Sequence, residues 1–366
     1  MKRVYISAGE PSGDAHAGAV VRALTRRLEV SVDAFGGPAL ESAGARVLDR
    51  MEDYSVVGLV EALRKLPAHL RLLRRVTKAF RAGTYDLAIL VDYPGYHLRA
   101  AAVAAEAGVP VLYYIAPQMW AWAPGRVRRL APVRRLAVIL PFEEAFFRAH
   151  GVAATFVGHP LLDRPPPPTR AEAQRTLGLD PARPVLALFP GSRSQEVHRL
   201  WAPFRDAAAW VARARPDVQL VAAGRPRLAY PNPGAIRVHH GDARVVFAAA
   251  DAALCKAGTT TVEAALADVP LVIAYRLHPW SFAVAQRVLD VPRVGLVNLI
   301  AERAVAPEFL QETGTPEALA NAVLPLLDRD GAPARAQREG LAVVRARLGG
   351  PGAADRVAAI AAELVA

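Results

Sequence analysis

Cysteine and long apolar runs are nearly absent from this chain of 366 residues. Its single cysteine, Cys255, allows no internal disulfide, which is typical of proteins in a reducing compartment. No stretch approaches the roughly 20 consecutive apolar residues that a membrane-spanning helix needs. The apolar run behind Met1 is too short for a signal peptide and predicts a buried strand. We therefore expect the mature protein to begin here and to remain in the cytoplasm.

The motifs of metal-dependent and serine-dependent enzymes are also missing. The nine histidines form no His-Glu-x-x-His or Cys/His set, and the pair His239 and His240 is expected in a loop. The Asp-x-Asp at residues 328–330 follows a predicted helix and is interpreted as a solvated turn. No Gly-x-Ser-x-Gly indicates a serine hydrolase. We therefore expect neither a metal nor another cofactor.

The charge is strongly positive and almost entirely arginine. The formal net charge is +11, from 45 lysines and arginines, of which only four are lysine. Phosphorylated substrates, an anionic membrane surface or nucleic acid would each explain this sign. Arginine suits phosphate recognition, whereas a genome that favours arginine codons would leave the charge solvated and without a role. No binding motif accompanies the charge, so nucleic acid is the least favoured partner.

Short apolar runs, separated by helix-like segments, recur along both halves of the chain. The predicted strands are Val4–Ala8, Leu87–Val91, Val111–Ile115, Leu136–Leu140, Val185–Phe189, Gln219–Ala223, Ala252–Leu254 and Leu271–Tyr275. Strands that are apolar on both faces indicate parallel sheets covered by helices. The predicted class is α/β, with two Rossmann-like parallel-sheet domains that face a central cleft. In such sheets, ligands bind beyond the carboxyl ends of the strands.

A run of four prolines, residues 165–168, divides the two halves. Such a run favours an extended connector, although a loop inside one domain is the simpler alternative. We predict an N-terminal domain of residues 1–164 and a C-terminal domain of residues 165–335. Residues 336–366 are predicted to form helices that pack back on the N-terminal domain or on a partner subunit.

In the first half, polar residues follow two of the predicted strands. The segment Gly9–Asp14 follows the first strand, where Ser12 or Asp14 can cap the next helix. Glu10 in this segment can bind sugar hydroxyls or transfer a proton. Asp92 follows the strand Leu87–Val91 and can act as a general base on an acceptor hydroxyl. A helix cap or a structural hydrogen bond explains these carboxylates equally well.

An aromatic segment follows the third predicted strand. Gln118, Trp120 and Trp122 lie close together there, ahead of several arginines. Two tryptophans at this spacing can line a groove for sugar rings and acyl chains, and buried core aromatics are an equally good interpretation.

In the second half, two glycine-containing turns resemble anion sites. Gly191, Ser192 and Arg193 follow a strand and can present backbone donors and a guanidinium to a diphosphate. The segment lacks the ending of the Walker phosphate loop, which argues against ATP hydrolysis. The segment Lys256–Glu263 holds a glycine and three threonines at a helix start. Its glutamate can bind ribose hydroxyls, or complete a capping box with Thr260.

A basic stretch from Arg64 to Arg81 predicts an amphipathic helix. Its apolar residues fall on one side of a helical wheel and its basic residues on the other. An ordinary surface helix accounts for this pattern. The alternative is a peripheral contact with an anionic membrane surface, on the inner face of the plasma membrane.

Seven motifs in the same order resemble the lipid-A-disaccharide synthase family, from Val4 to about Gln311. They are the segments Ala8–Asp14, Val57–Glu61, Pro117–Trp122, Leu140–Glu143, Val157–Leu161, Leu188–Arg193 and Ala257–Thr259. The resemblance implies a glycosyltransferase of the B-type fold. It implies inverting transfer of 2,3-diacylglucosamine from UDP to 2,3-diacylglucosamine 1-phosphate, which gives a β-1,6-linked disaccharide 1-phosphate and UDP. A membrane-docking patch at the basic helix and homodimerisation are also implied.

The resemblance assigns roles to individual residues. Asp92 matches the proposed base, and Glu10 matches another functionally implicated position. The nucleotide-sugar site is predicted to comprise Gly191, Ser192, Arg193, Glu196, Gly258, Thr259, Thr260, Glu263, Arg276 and Asn298. The acceptor site is predicted to comprise Ser12, Gly13, Asp14, Gln118, Trp120 and Trp122. For Asn298, which lies within an apolar run, a structural amide is the alternative.

This chain departs from the family pattern at three places. Around the base the family has Asp-x-Pro-Asp-Phe-Asn, whereas Gly95 and His97 stand here in place of the second acid and the amide. Lys256 stands where a small residue is usual, and Val297 replaces a proline. Other candidate functions are a UDP-sugar enzyme with another acceptor, a UDP-N-acetylglucosamine epimerase, or a non-catalytic protein that binds UDP-sugars or membranes.

Overall fold

The computed structural model describes residues 1–54, 59–122, 124–276 and 293–366, and within them the side chains of residues 59–64 and 122 are left out. The chain forms two compact units. The first combines Met1–Arg164 with Leu348–Ala366, and the second is Pro165–Arg347. The chain passes from the first unit to the second at the start of the proline run. The central cleft between two domains stays a prediction.

The first unit is built on a seven-stranded parallel sheet with the order β3-β2-β1-β4-β5-β6-β7. Its strands are β1 (Lys2–Ala8), β2 (Val30–Gly36), β3 (Arg46–Arg50), β4 (Leu87–Val91), β5 (Val111–Tyr114), β6 (Arg135–Val138) and β7 (Ala154–Phe156). Its helices are α1 (Pro11–Thr25), α2 (Pro38–Ser42), α3 (Leu59–Arg81), α4 (Pro94–Glu106), α5 (Met119–Trp122) and α6 (Pro141–Ala149). Short 3-10 helices cover Met51–Asp53, Pro124–Leu130 and Pro160–Asp163.

The second unit has a six-stranded parallel sheet with the order β10-β9-β8-β11-β12-β13. Its strands are β8 (Val185–Phe189), β9 (Gln219–Ala223), β10 (Arg237–His239), β11 (Ala252–Lys256), β12 (Leu271–Tyr275) and β13 (Glu308–Leu310). Its helices are α7 (Arg170–Leu177), α8 (Ser194–Ala214), α9 (Ala243–Ala249), α10 (Thr259–Leu266), α11 (Leu296–Ala301), α12 (Pro316–Val323) and α13 (Ala332–Arg347). Short 3-10 helices cover Gln311–Thr313 and Leu324–Leu326. The last helix of the chain, α14 (Ala353–Val365), belongs to the first unit.

Each sheet carries a core on the side of its long helices. In the first unit, Val4, Ile6 and Ala8 of β1 pack with apolar residues of α1 and α14. In the second unit, apolar residues of β8 and β9 pack against α8 and α12. Since strands alternate, the other face of β1 turns Tyr5 and Ser7 toward the opposite side of the sheet.

Both sheets have the strand order of a Rossmann fold, in which the chain reverses direction beside the first strand. The reversal lies between β1 and β4 in the first unit and between β8 and β11 in the second. The order confirms the predicted α/β class. In such sheets, the loops that follow these central strands hold the ligand.

Sequence periodicity located the central strands and missed the peripheral ones. The strands β2, β3, β7, β10 and β13 were not predicted, because they are short or interrupted by polar residues. His239 lies in β10 and not in a loop, which corrects that expectation. The C-terminal division also differs. Residues 336–347 belong to α13 and to the second unit, whereas only Leu348–Ala366 join the first unit.

Helix α14 packs along α1 through Val357, Ala358 and Ala361. The carboxylate of Asp163 accepts hydrogen bonds from the backbone amides at the start of α14. The chain therefore returns to its own first unit after completing the second. Among the described residues, no helix combines the length and the apolar character needed to cross a bilayer.

Candidate active site

Glu10 and Asp92 follow the two central strands of the first sheet. Ala8, the last residue of β1, pairs with Val91, the last residue of β4. The segments that carry the two carboxylates therefore leave the same edge of the sheet side by side. Both residues are half-buried. The structure thus brings together the two predicted catalytic residues at the point where this fold binds ligands.

The backbone at Asp92 has an uncommon conformation. Asp92 and Tyr93 have φ values of 53° and 51°, both in the left-handed region. For residues other than glycine this region costs about 1–3 kcal/mol each, and such strain persists only where neighbouring contacts fix it. The turn presents Asp92 at the strand end and starts α4 at Pro94, with Tyr93 as the N-cap.

Two buried side chains hold this turn through the carbonyl oxygen of Asp92. The hydroxyl of Tyr113 donates to it at 2.7 Å, and Nδ1 of His97 lies 2.6 Å from it. The other ring nitrogen of His97, Nε2, lies 2.7 Å from Oγ of Ser7. Burial lowers the pKa of His97 to about 4, against the effect of its bond to Asp92. The imidazole is therefore neutral at ordinary pH.

Gly9 is required by the ring of Tyr93. A Cβ at position 9 would overlap that ring, whereas a Cβ at Gly95 would meet nothing within 4 Å. The hydroxyl of Tyr93 lies 2.7 Å from Nε2 of His69, and Nδ1 of His69 lies 2.9 Å from the carbonyl oxygen of Lys65. Because a carbonyl only accepts, Nδ1 of His69 donates and the Tyr93 hydroxyl donates to Nε2. Helices α3 and α4 are thus joined beside Asp92.

Asp14 has a different role from the predicted one. Helix α1 has Glu10 as its N-cap, with no side-chain cap. The carboxylate of Asp14 is buried and accepts hydrogen bonds from the amides of Gly37 and Ala39, at 2.7 and 2.8 Å. Asp14 therefore fixes the turn that precedes α2. Ser12 is exposed and Gly13 is buried.

The aromatic segment is divided between core and surface. Trp120 is buried, and its indole N–H donates to the carboxylate of Glu143 at 3.0 Å. Burial raises the pKa of Glu143 to about 7, although the indole and two backbone amides donate to this carboxyl. The structure thus favours the core interpretation for Trp120. Gln118 is exposed, and the side chain of Trp122 lies outside the described residues, as do Val57 and Gly58.

In the second unit, an ion pair joins the two glycine-containing turns. Nζ of Lys256, at the end of β11, lies 2.9 Å from Oε1 of Glu196 in α8. Oε2 of Glu196 accepts hydrogen bonds from the amides of Ser192 and Arg193, at 2.9 and 3.2 Å. Glu196 therefore occupies the backbone donors that were predicted for a phosphate. The side chain of Arg193 is exposed.

The helix start after β11 corrects one prediction. The N-cap of α10 is Gly258, with a φ of 119° that favours glycine. Thr260 is the second helical residue and not the N-cap, so Glu263 does not complete the predicted capping box with it. Glu263 is half-buried, and its charge raises the pKa of the buried Cys255 in addition to the larger effect of burial. Glu263 therefore lies beside the end of β11.

Asn298 is a structural amide. Its Nδ2 donates to the carbonyl of Ala306 at 2.8 Å and to Glu308 at 2.6 Å, and its Oδ1 accepts from the amides of Val305 and Ala306. Both donors and both lone pairs of this buried amide are occupied. A direct contact with the nucleotide would break one of these bonds, so the alternative interpretation is the better one.

Two further features complete the edge of the second sheet. Arg276 follows β12 and donates to the carbonyl of Gly314 at 3.1 Å. Burial raises the pKa of Tyr275, as does the charge of Glu196, while the charges of Arg199 and Arg193 lower it. Positive side chains therefore gather at this edge. Within the described ranges, no group of three or more His, Cys, Asp or Glu side chains is arranged to hold a metal ion.

Comparison with known proteins identifies the family. The model of the family described as lipid-A-disaccharide synthetase matches residues 4–348. A lipid-A-disaccharide synthase of Anaeromyxobacter dehalogenans is 43% identical, over 97% of this chain and 96% of that protein. The synthase of Trichlorobacter lovleyi is 40% identical, over 100% of this chain and 98% of that protein.

The chain belongs to the lipid-A-disaccharide synthase family. It is accordingly a glycosyltransferase, as the sequence motifs predicted.

Solved structures agree on the fold of this synthase family member. MurG of Acinetobacter baumannii superposes with a TM-score of 0.60 at 15% identity, over 99% of this chain and 100% of that one. A putative UDP-N-acetylglucosamine 2-epimerase of Listeria monocytogenes gives 0.66 at 14% identity, over 98% and 95%. At these identities the likeness concerns the fold alone, which is the B-type fold of glycosyltransferases.

Three residues that hold the turn at Asp92 were not predicted from the sequence. Ser7 and Tyr113 lie inside apolar strands, and His97 was noted only as a departure from the family motif. The signal was a polar residue inside a buried strand, since such a residue needs a partner. The bond between Lys256 and Glu196 was also missed, because 60 residues separate the two in the chain.

Proposed function

We propose that this chain joins UDP-2,3-diacylglucosamine to 2,3-diacylglucosamine 1-phosphate, with release of UDP and inversion at the anomeric carbon. The observation that carries the proposal is the family match along nearly the whole chain, at 43% identity to a curated lipid-A-disaccharide synthase. The epimerases share only the fold, at identities near 14%. An epimerase or a non-catalytic UDP-sugar binder is therefore disfavoured.

Asp92 is the proposed general base. It removes the proton of the acceptor hydroxyl while the hydroxyl oxygen attacks the anomeric carbon of the donor. The bond from that carbon to the diphosphate breaks in the same step, and UDP leaves with the electron pair. The position of Asp92 at the reversal point of the first sheet supports this role. Glu10, on the adjacent loop, is proposed to bind substrate hydroxyls.

The leaving diphosphate is proposed to bind at the edge of the second sheet. Arg193 is exposed there, and Lys256 lies at the end of the neighbouring strand. Their positive charges would stabilise the negative charge that develops on UDP, without a metal ion. Donor binding would also release Glu196 from the amides of Ser192 and Arg193, so that these N–H groups turn to phosphate oxygens.

The proposal is tested by UDP release from UDP-2,3-diacylglucosamine, with and without the acceptor, in detergent with a chelator. We expect acceptor-dependent release and a disaccharide product from the wild type, and neither from Asp92→Asn. Tight binding of UDP with no acceptor-dependent release would contradict the proposed acceptor. Activity restored only by a divalent cation would contradict the metal-free mechanism.

Helix α3 is proposed to dock on an anionic membrane surface, where the acylated substrates reside. Leu72, Val76 and Phe80 are buried in the first unit, whereas Leu66 and Leu70 are 42% and 38% exposed. The predicted apolar face is therefore only partly covered by the core, and its two exposed leucines remain for another contact. The exposed leucines lie toward the start of the helix, and the exposed Arg71, Arg74, Lys78 and Arg81 follow them along it. This pairing of apolar and basic side chains suits a headgroup region.

Not every basic residue of α3 is available for such contact. Arg75 forms an ion pair with Asp49 and donates to the hydroxyl of Tyr54. The side chain of Arg64 lies outside the described residues.

We expect the double change Leu66→Ser and Leu70→Ser to reduce flotation with vesicles containing anionic phospholipid. The matched control is Trp210→Ser, since Trp210 is as exposed as these leucines but lies in α8. Equal flotation of both variants would contradict docking through α3.

A homodimer is also proposed, from the family resemblance. In the structure, the C-terminal helix α14 packs on the first unit of its own chain. Light scattering after gel filtration checks the oligomeric state, and a mass of about one chain at micromolar concentration would contradict a dimer.

A further inference from the structure

Ser7, His97 and Asp92 form a buried hydrogen-bonded series beside the proposed base. Ser7 lies in β1, His97 lies one turn into α4, and Asp92 lies between β4 and α4. Both Ser7 and His97 are fully buried. The series runs from Oγ of Ser7 to Nε2 of His97 at 2.7 Å, and from Nδ1 of His97 to the carbonyl oxygen of Asp92 at 2.6 Å. It touches the backbone of Asp92 and leaves its carboxylate to other partners.

The hydrogen bonds determine the tautomer of His97. A carbonyl oxygen only accepts, so Nδ1 must carry the proton and donate to Asp92. In the neutral ring Nε2 then accepts, and the hydroxyl of Ser7 donates to it. Burial keeps the ring neutral, because it lowers the pKa of His97 to about 4. The ring therefore acts as a fixed donor and has no proton to exchange at the pH of the cell.

The bonds to Asp92 act where the backbone is strained. Asp92 and Tyr93 are both in the left-handed region, and the amide of Asp92 donates to the carbonyl of Tyr114 at 2.9 Å. The carbonyl of Asp92 accepts from His97 and from Tyr113. Both peptide groups of Asp92 are thus fixed to the sheet and to α4. Fixing them fixes the direction in which the Cα–Cβ bond of Asp92 leaves the strand end.

We propose that His97 is a positioning residue, which holds Asp92 in its left-handed turn and so aims the carboxylate at the acceptor hydroxyl, with Ser7 keeping the imidazole in the donating tautomer. This inference rests on the proposed function of Asp92 as the base. The family has an amide at this position, which also offers an N–H donor but is shorter. The longer imidazole bonds both Ser7 of β1 and the carbonyl of Asp92, so one side chain joins the strand to the turn.

The test compares two substitutions at position 97. His97→Asn keeps an N–H donor for the carbonyl of Asp92, and we expect kcat to stay within about fivefold of the wild type. His97→Leu keeps the bulk and loses the donor, and we expect kcat to fall by about 10- to 100-fold, since small misplacements of a reacting group have effects of this order. The KM for the donor and the Kd for UDP should not change in either variant, because the donor site is in the other unit.

Two further variants keep the inference testable if His97→Leu does not fold. Tyr113→Phe removes the second donor to the same carbonyl and should lower kcat by less than His97→Leu. Ser7→Ala frees the imidazole to change tautomer and should also lower kcat. His150→Leu is the matched control, because Nδ1 of the exposed His150, directly after α6, also bonds a carbonyl, that of Phe146 at 2.8 Å. Its kcat should equal that of the wild type.

The outcomes separate this inference from the proposed function. Wild-type protein without acceptor-dependent UDP release would overturn the function itself. An active wild type with unchanged kcat in folded His97→Leu, or in both Ser7→Ala and Tyr113→Phe, would overturn the positioning role alone. A loss of UDP affinity in proportion to kcat would show a general structural role and overturn it as well. The acid limb of the pH profile of kcat should be the same in the wild type and His97→Asn, and its loss in His97→Asn would make His97 the base instead.

Discussion

The two units share the central strand order of a Rossmann fold, but different chemistry holds the loops beside the reversal point of each sheet. In the first unit, the loop after β4 is held by neutral groups: the carbonyl of Asp92, the hydroxyls of Ser7 and Tyr113, and a neutral His97. In the second unit, the loop after β8 is held by the charged pair of Lys256 and Glu196. The side chains of the first network are fully buried, whereas those of Lys256 and Glu196 are partly exposed to solvent.

This difference follows from what each loop is proposed to do. A general base must point in one direction, and buried neutral hydrogen bonds give a fixed geometry that salt and pH hardly affect. An anion site must instead attract and release a diphosphate. A half-exposed ion pair suits that task, because Glu196 can yield its donors to phosphate at moderate cost. Rossmann topology therefore sets where a site lies, and the side chains set its character.

The largest expected effect comes from Asp92→Asn. The amide has nearly the same shape but cannot accept the proton of the acceptor, so kcat should fall by about 10²–10⁴-fold. The Kd for UDP should be unchanged, since the proposed donor site lies in the other unit. Steady-state kinetics and calorimetric titration with UDP provide the two values. A matching loss of UDP affinity would break the separation of roles between the units.

The second effect is on the packing of the neutral network. Gly9→Ala places a methyl group in the ring of Tyr93 and should lower the free energy of unfolding by about 1–3 kcal/mol. It should lower kcat too, since Tyr93 belongs to the strained turn. Gly95→Ala is the control on the same turn, because nothing lies within 4 Å of a Cβ there. Denaturant unfolding of both variants checks this, and equal stabilities would contradict the steric argument.

The third effect is on the charged network. Lys256→Met should weaken UDP binding by roughly fivefold at low salt, as about 1 kcal/mol is typical of a half-exposed charge. The difference should shrink as ionic strength rises. His97→Asn should show no such salt dependence. Lys2→Met is the matched control. Lys2 is an exposed lysine at the first residue of β1, in the unit that does not hold the proposed UDP site. A loss of affinity that is independent of salt would contradict an electrostatic role.

The smallest effect concerns acid stability. Burial raises the pKa of Glu196, but the charge of Lys256, its hydrogen bond and two backbone amides lower it below the ordinary value of 4.5. The pair therefore stabilises the fold above this value, and the stabilisation is lost as the pH falls through the lower folded pKa. As the pH falls below about 4.5, the wild type should lose more in Tm than Glu196→Gln. If Tm fell equally with pH in the wild type and in Glu196→Gln, the result would contradict the lowered pKa of Glu196.

The sequence predicted those strands that a local run of apolar residues marks, and it did not predict the others. The central strands were found because each is a continuous apolar run, and β4, β8, β9 and β12 have the predicted bounds. The peripheral strands β3, β7, β10 and β13 are exposed on one edge or very short, so their composition is not distinctive. Position along a strand was enough to place Asp92 and Arg193 at the carboxyl edges of the two sheets.

The roles of single side chains were harder to predict. Asp14 looked like a helix cap for α1 but fixes the turn before α2, which lies more than twenty residues away. Asn298 and Trp120 looked like ligand contacts, and their partners were supplied by residues that only folding brings near. The leucines of α3 shared a face on the helical wheel, and the core covered only some of them. Helical periodicity gives the direction of a side chain and says nothing of what covers it.

The amino-acid sequence by itself determined the α/β class, the central strands, the family and the loops that carry the proposed chemistry, because these depend on local patterns of apolar runs, glycines and ordered motifs. Only the tertiary structure decided that Ser7, Tyr113 and His97 fix Asp92, and that Lys256 is paired with Glu196. Apart from the local bond between His97 and Asp92, these contacts join strands and helices that are distant in the chain. A hydrogen bond depends on distances of a fraction of an ångström, which the packing of the whole unit sets and no local pattern encodes.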